Sequence, residues 1–360
     1  MFMNRLKEKY DLSFFLVCLK LGVGAIIYRG AIDILSYATV PILSLLTLAT
    51  TVSDVFYNSV SYLLSAIVSV LAFTFAAVAM WVLLRVGKHQ NYRPTYWRWN
   101  ITPFAPFLIM ATVSLNFAMS EINSLLITLL SPNVSMNILG TGSGSISALE
   151  VFLLVVSTAI IPGIVEEIMF RGIILTNLIP YGRGMAIVCS ALLFGLMHKN
   201  PSQFLYTTLM GIVLGYIYVR TRSIWICVLI HFTNNALGIL QQIFYQCYDT
   251  ARATELMGIL MLSVSVLGLI SMGVLMIVRY AKRKDTPTKN GSFGRLYEPD
   301  LSYEACPVSR GKKMLLFFSP SVSLFTAAVF ISMITTAVTI FAAGLLLGMF
   351  PELFSEFFTV

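Results

Sequence analysis

Apolar runs of about 20 residues, each long enough to cross a bilayer, recur from one end of this chain to the other. They fall near 12–50, 59–84, 103–130, 148–175, 185–198, 203–219, 224–242, 257–278 and 316–350. Hydrocarbon offers no water to satisfy backbone N–H and C=O groups, so every such run must be a helix or part of a closed barrel. Runs of this length and continuity, without alternation, select helices. The expected fold is therefore all-α: a polytopic membrane protein with about eight or nine transmembrane helices, with residues 1–360 forming a single integral membrane domain. A charged fraction of 11%, against about 25% in soluble domains, fits lipid as the solvent. The run 12–50 admits one crossing with an interfacial helix, or two crossings broken near Arg29 to Asp33, and Pro41 adds a place for a kink.

The net charge of +8 is distributed by loop rather than gathered into a patch, which argues against nucleic acid as a partner. Arg5, Lys7 and Lys9 precede the first run, and Arg85, Lys88, Arg93 and Arg98 follow the second. Arg183, Arg220 and Arg222 mark later turns, and nine Lys or Arg lie between Arg279 and Lys313. The intervening loops 131–147 and 243–256 carry almost none. Positive residues stay in the cytoplasm, so 279–315 is read as a basic cytoplasmic loop, and a single crossing in 12–50 puts every basic loop on that side. Tyr96, Trp97, Arg98 and Trp99 read as an interfacial anchor. The basic, then apolar start resembles a signal peptide, but Lys20 interrupts it and it is read as retained. Gly140 to Ser147 reads as a flexible external loop. The five cysteines are scattered singly, which fits packing better than a redox or zinc pair.

Ionisable residues inside three of the apolar runs carry the functional signal: Glu166, Glu167 and Arg171 in one, His198 in another, His231 with Asn235 in a third. A charge in lipid costs about 2.5–3.5 kcal/mol or more, so such residues are expected where they pair or act. On a helix Glu167 and Arg171 are i,i+4 neighbours while Glu166 lies about 100° around the axis, leaving one carboxylate held and one available as a general base. Phe194 and His198 share a helical face, as do His231 and Asn235. Each group alone could be a helix cap or interhelical glue. Their depths argue otherwise. At 1.5 Å per residue from the turns near Tyr181–Arg183 and Thr221–Ser223, Glu166, His198 and Asn235 come out at about 22, 24 and 20 Å, with His231 one turn lower. Gly211 and Gly215 form a G-x-x-x-G spacing that suits close packing of the helix between the two histidine helices.

Glu166-Glu167-x-x-x-Arg171, Phe194-x-x-x-His198 and His231-x-x-x-Asn235 resemble, in order and spacing, the E-E-x-x-x-R, F-x-x-x-H and H-x-x-x-N motifs of the CPBP intramembrane proteases, the family of CAAX prenyl endopeptidases and bacteriocin-processing proteins. The resemblance covers 150–240, the CPBP-like catalytic core. Arg222 departs from it, since relatives often carry glycine there. The resemblance implies intramembrane peptide-bond hydrolysis: Glu166 with His198 activating water, His231 and Asn235 stabilising the oxyanion, and Glu167 with Arg171 holding the helix, with Phe194 in support. It implies lipid and a membrane-associated peptide or protein as partners, and the plasma membrane of a bacterium as the location. No cofactor is required under this mechanism. A rival chemistry has Glu166, His198 and His231 binding Zn2+ with an open fourth position. A different class of reading makes the chain a non-enzymatic membrane protein, such as a proton-coupled transporter or a bacteriocin-immunity scaffold.

Overall fold

The structure is a computed structural model that describes residues 2–48, 53–85, 99, 103–130, 145–284 and 310–349. Tyr96 to Arg98, most of Gly140 to Ser147 and the greater part of the 279–315 segment lie outside the described residues. All long regular elements among the described residues are helices: α1 (Phe2–Leu48), α2 (Asp54–Arg85), α3 (Ala105–Leu130), α4 (Ala148–Tyr181), α5 (Arg183–Met197), α6 (Pro201–Thr221), α7 (Ile224–Cys247), α8 (Thr250–Lys284), α9 (Arg310–Phe317) and α10 (Pro320–Met349). Among the described residues seven are long and apolar enough to cross a membrane, or eight if the pair Gly311–Phe317 and Pro320–Ile334, bent by 72°, is counted as one broken span. The chain is an integral, polytopic membrane protein.

The described part of the run 12–50, up to Leu48, is one unbroken helix. Arg29 and Asp33 bond to each other across one helical turn, which satisfies them without breaking the rod. Helix α1 is 47 residues long, about 70 Å, and it packs along α2 on one side and α10 on the other. Around them α3 pairs with α8, and α5 with α6. The α5–α6 pair is close because of its glycines. A Cβ on Gly211 would sit 3.0 Å from Ala191 Cα and 3.3 Å from the Phe194 ring, and one on Gly195 would meet Thr208 Oγ1 at 2.0 Å. The two helices thus approach backbone to side chain, and Phe194 is pressed toward the centre of the molecule.

Helix α4 is not a uniform α-helix. It begins at a capping box, with Ser147 Oγ accepting the Glu150 N–H at 3.2 Å and Glu150 Oε2 accepting the Ser147 N–H at 2.9 Å. Val156–Ile160 and Ile168–Leu175 are then wound as π-helix. Pro162 explains the first: it has no N–H to give the carbonyl four residues back, that of Thr158, so the ladder loosens there. The second leaves the Phe170 carbonyl to the Ser190 hydroxyl of α5 at 2.8 Å and the Arg171 carbonyl to Thr176 Oγ1 at 2.9 Å. One freed carbonyl becomes a tie to α5, and the other is taken up by the next turn of α4 itself.

Two turns close the central hairpins at the end bearing Arg183 and Arg222. Gly182 has φ 131°, a conformation open to glycine, and Arg222 has φ 51°, the left-handed region where glycine is favoured. Trp99 packs on Trp225 at this end, ring centroids 5.1 Å apart. Gly182→Ala should lower the melting temperature in detergent, the strain being about 1–3 kcal/mol. Gly184→Ala, with nothing within 4 Å of the added methyl, should leave it unchanged or raise it.

Candidate active site

The site is built around a fully buried carboxylate. Glu167 and Arg171, on α4, are 0% and 1% exposed, and Arg171 Nη1 donates to Glu167 Oε1 at 2.6 Å. The same Oε1 accepts a hydrogen bond from His231 Nδ1 on α7 at 2.8 Å. An ionised carboxylate can only accept, so His231 carries a proton on Nδ1 and turns Nε2 outward. That Nε2 lies 3.9 Å from Glu166 Oε2. Glu166, unlike its neighbour, keeps 24% of its side chain accessible. One carboxylate is locked and the adjacent one is reachable.

Phe194 of α5 joins these groups to His198. The Arg171 guanidinium lies 4.4 Å from the centre of its ring, a favourable position for a cation on an aromatic face. Phe170 meets it edge-on at 5.1 Å, His198 at 5.0 Å and His231 at 5.9 Å. The two imidazoles therefore lie no more than about 11 Å apart, the sum of their distances to that ring. His198 caps the C-terminal end of α5, and its Nδ1 hydrogen-bonds the Phe194 carbonyl at 3.0 Å. A carbonyl only accepts, so Nδ1 carries the proton and Nε2 keeps a lone pair.

Glu166, Glu167, Arg171, Phe194, His198 and His231 are thus gathered in one place. Asn235 stands one turn further along α7, and its Nδ2 donates to the Thr158 carbonyl at 2.9 Å, the acceptor that Pro162 leaves without its helical partner. Its Oδ1 takes a hydrogen bond from Asn234 Nδ2 at 3.4 Å, and Asn234 Oδ1 in turn accepts from Asn116 Nδ2 on α3. This carboxamide chain fixes which way Asn235 faces and leaves its second N–H available. Asn116, 5% exposed, was not marked by the sequence, because an isolated asparagine in an apolar run has no motif around it. Tyr28 of α1 and Tyr206 of α6 also lie within electrostatic range of Glu166, and tyrosine in an apolar span reads as packing.

Among the described residues, no three His, Cys, Asp or Glu side chains stand close enough together to hold a metal ion. His231 Nδ1 is already engaged by Glu167, and Glu166, His198 and His231 do not converge on one point at ligand distance.

Residues 148–237 match the family model of Type II CAAX prenyl endopeptidase Rce1-like proteins. The chain carries a CPBP-family segment. That segment holds all three motifs, from Glu166 to Asn235, and it coincides with α4 to the middle of α7. Over 92 residues the chain is 30% identical to YdiL of Bacillus subtilis (strain 168), a membrane peptidase candidate. The aligned part is 25% of this chain and 38% of that protein, so the chain spans well under half the length of the curated relative it matches. No solved structure gives a significant match. Helices α1 to α3 and α8 to α10 lie outside the CPBP segment, and α1 and α3 nonetheless bond to it, α1 through Arg29 and Asp33 and α3 through Asn116.

Removing one partner of a buried ion pair leaves the other charge uncompensated, at a cost of about 3–5 kcal/mol. Arg171→Ala should therefore sharply lower the yield and melting temperature of folded protein. The double variant Arg171→Ala with Glu167→Ala should recover part of that loss, read from thermal unfolding in detergent.

Proposed function

We propose that this chain is an intramembrane endopeptidase that hydrolyses a peptide bond of a membrane-associated substrate. The observation that supports it most is the division of labour between adjacent carboxylates. Glu167 is consumed by Arg171 and His231, whereas Glu166 is accessible beside the outward nitrogen of His231. A buried polar cluster that served only to hold helices together would have no reason to leave one carboxylate open to solvent. The match to the Type II CAAX prenyl endopeptidase Rce1-like model and to a membrane peptidase candidate supports the same reading.

In this mechanism Glu166 takes a proton from a water molecule that His198 Nε2 helps to orient, and the hydroxide oxygen bonds to the scissile carbonyl carbon. The carbonyl oxygen becomes an oxyanion. His231, as the imidazolium stabilised by Glu167, and the second N–H of Asn235 donate to it. The C–N bond then breaks, and Glu166 returns its proton to the leaving amine, so that the enzyme ends as it began. Zinc held by Glu166, His198 and His231 would supply a Lewis acid, but those donors do not gather at ligand distance, and each step is written with protein groups alone. The substrate classes this site would serve are a CAAX-like tail, a peptide leader or a membrane-anchored protein. The membrane is proposed to be the plasma membrane of a bacterium.

Glu166→Gln keeps size and hydrogen bonding but removes basicity. It should lower cleavage of a membrane-anchored reporter by about 10²-fold or more, with folded protein unchanged, and substantial residual cleavage would remove Glu166 from its role. A transporter would instead show altered flux in that variant and no cleavage in either form. Losing one neutral hydrogen bond costs about 1 kcal/mol, so Asn116→Ala should reduce kcat several-fold with KM little changed. In an Asn235→Ala background it should add almost nothing, the signature of two residues acting as a unit.

A further inference from the structure

Of the site residues, His198 stands at the end of its helix, and the two ends of the bundle differ in charge. At one end the α4–α5 turn is held by α1 and α9: Ser13 Oγ and Tyr181 Oη are 2.8 Å apart, Lys313 Nζ donates to the Tyr181 carbonyl at 2.7 Å, and Lys312 pairs with Asp11. Arg183, Arg220 and Arg222 belong to this end, as do Arg5, Lys7 and Lys9 in the sequence and the basic segment that begins at Arg279. The far end is acidic on balance, with Asp54, Glu121, Glu150, Asp249 and Glu255 against Arg252 and the cluster described next. Positive residues mark the cytoplasmic side, which places the far end outside.

Glu166 is 15 residues along α4 from Tyr181 and His198 is 15 residues along the chain from Arg183, about 22 Å in each case. The hydrocarbon layer is about 30 Å thick, so both sit beyond its midplane, while their partner His231, seven residues along α7 from Ile224, sits about 11 Å from the basic end. Directly after His198 the chain leaves the helix at Lys199, φ 51°. Lys199 pairs with Asp33 of α1, Asp33 pairs with Arg29, and Arg29 Nη1 donates to the Met197 carbonyl at 3.2 Å. These three side chains are 24%, 31% and 23% exposed. A half-open triad of charges is stable at a water boundary and costly in lipid, so water reaches the outer end of α5 one residue from His198. Below the site, Phe14, Leu21, Ile174, Leu175, Leu178 and Tyr181 close the inner half with a packed apolar core. A charged, partly accessible cluster lies on one side of the site and packed apolar side chains on the other.

We infer that the site is hydrated from the membrane face opposite the basic loops and takes its substrate there: a peptide segment in the outer leaflet or just beyond it, not a cytoplasmic tail. The inference rests on the peptidase reading for the word substrate, but the direction of access does not. It narrows the three substrate classes to exported leaders and the outer juxtamembrane segments of membrane-anchored proteins.

The test uses the full chain with Cys247→Ser and Cys306→Ser, since Cys247 is the one partly accessible thiol among the described cysteines and Cys306 lies in the basic segment. Single cysteines are introduced as His198→Cys, Asn200→Cys and Gly184→Cys. Each is treated with a membrane-impermeant maleimide in right-side-out and in inside-out vesicles of the expression host. Thiols react as thiolates and need water, so His198→Cys and Asn200→Cys should label at least about tenfold faster in right-side-out vesicles, and Gly184→Cys at least about tenfold faster in inside-out ones. If His198→Cys fails to accumulate, Asn200→Cys with Thr250→Cys reads the same face. The reverse pattern, or a His198→Cys thiol that labels from neither side in folded protein, overturns the inference. Labelling requires no catalysis, so a chain that proves not to be a peptidase would fail in the Glu166→Gln comparison while leaving this result intact.

Discussion

The arrangement depends on one oxygen atom. Glu167 Oε1 accepts from Arg171 and from His231 at once, in surroundings where an isolated charge would be prohibitive. A carboxylate with a single cationic partner would be neutralised locally but would fix nothing beyond its own helix. Sharing it ties α4 to α7, keeps a proton on Nδ1 of His231 and sets the direction of Nε2. Arg171 in turn lies over Phe194, which carries both imidazoles on its edges. A short chain of charge, ring face and ring edge therefore connects three helices, and displacing any member would strand a polar group in a dry interior.

Backbone irregularity serves the same end. Winding α4 as π-helix beside Pro162 and again after Glu167 releases carbonyls that a regular helix would have consumed. Ser190, Thr176 and Asn235 take them up. Each tie is between a backbone atom whose position is fixed and a side chain from another turn or helix, so it specifies rotation about the helix axis, which apolar packing alone leaves loose. For the proposed chemistry this matters most at Asn235, whose donor direction is set by Thr158 on one side and by the carboxamides of Asn234 and Asn116 on the other. The helices outside the CPBP segment thereby contribute to the site: α3 through Asn116, and α1 through the Arg29–Asp33 clamp on the end of α5.

For the proposed hydrolysis, a site within a bilayer raises the question of where water enters. The charges around Lys199 mark the boundary on one side, and the apolar core below Glu166 closes the other.

The sequence by itself determined the class of fold and the polar residues that matter. Long apolar runs admit helices because lipid cannot satisfy an open backbone, and ionisable side chains within such runs stand out because their burial is costly. Helical spacing was enough to expect Glu167 beside Arg171 and His198 beside Phe194, since these contacts are local. What only the tertiary structure decided is everything that crosses between helices. Nothing in the spacing of Glu167 indicates that His231, 64 residues later, shares its oxygen, or that Asn116 reaches Asn234. The continuity of α1 through Arg29 and Asp33 was equally open, because a charge pair in an apolar run can mark either a break or a partnered turn. The depth of a residue along its own helix follows from counting at 1.5 Å per residue. Its rotation toward a partner is set by π turns, glycine contacts and shared hydrogen bonds, which become fixed when the helices pack.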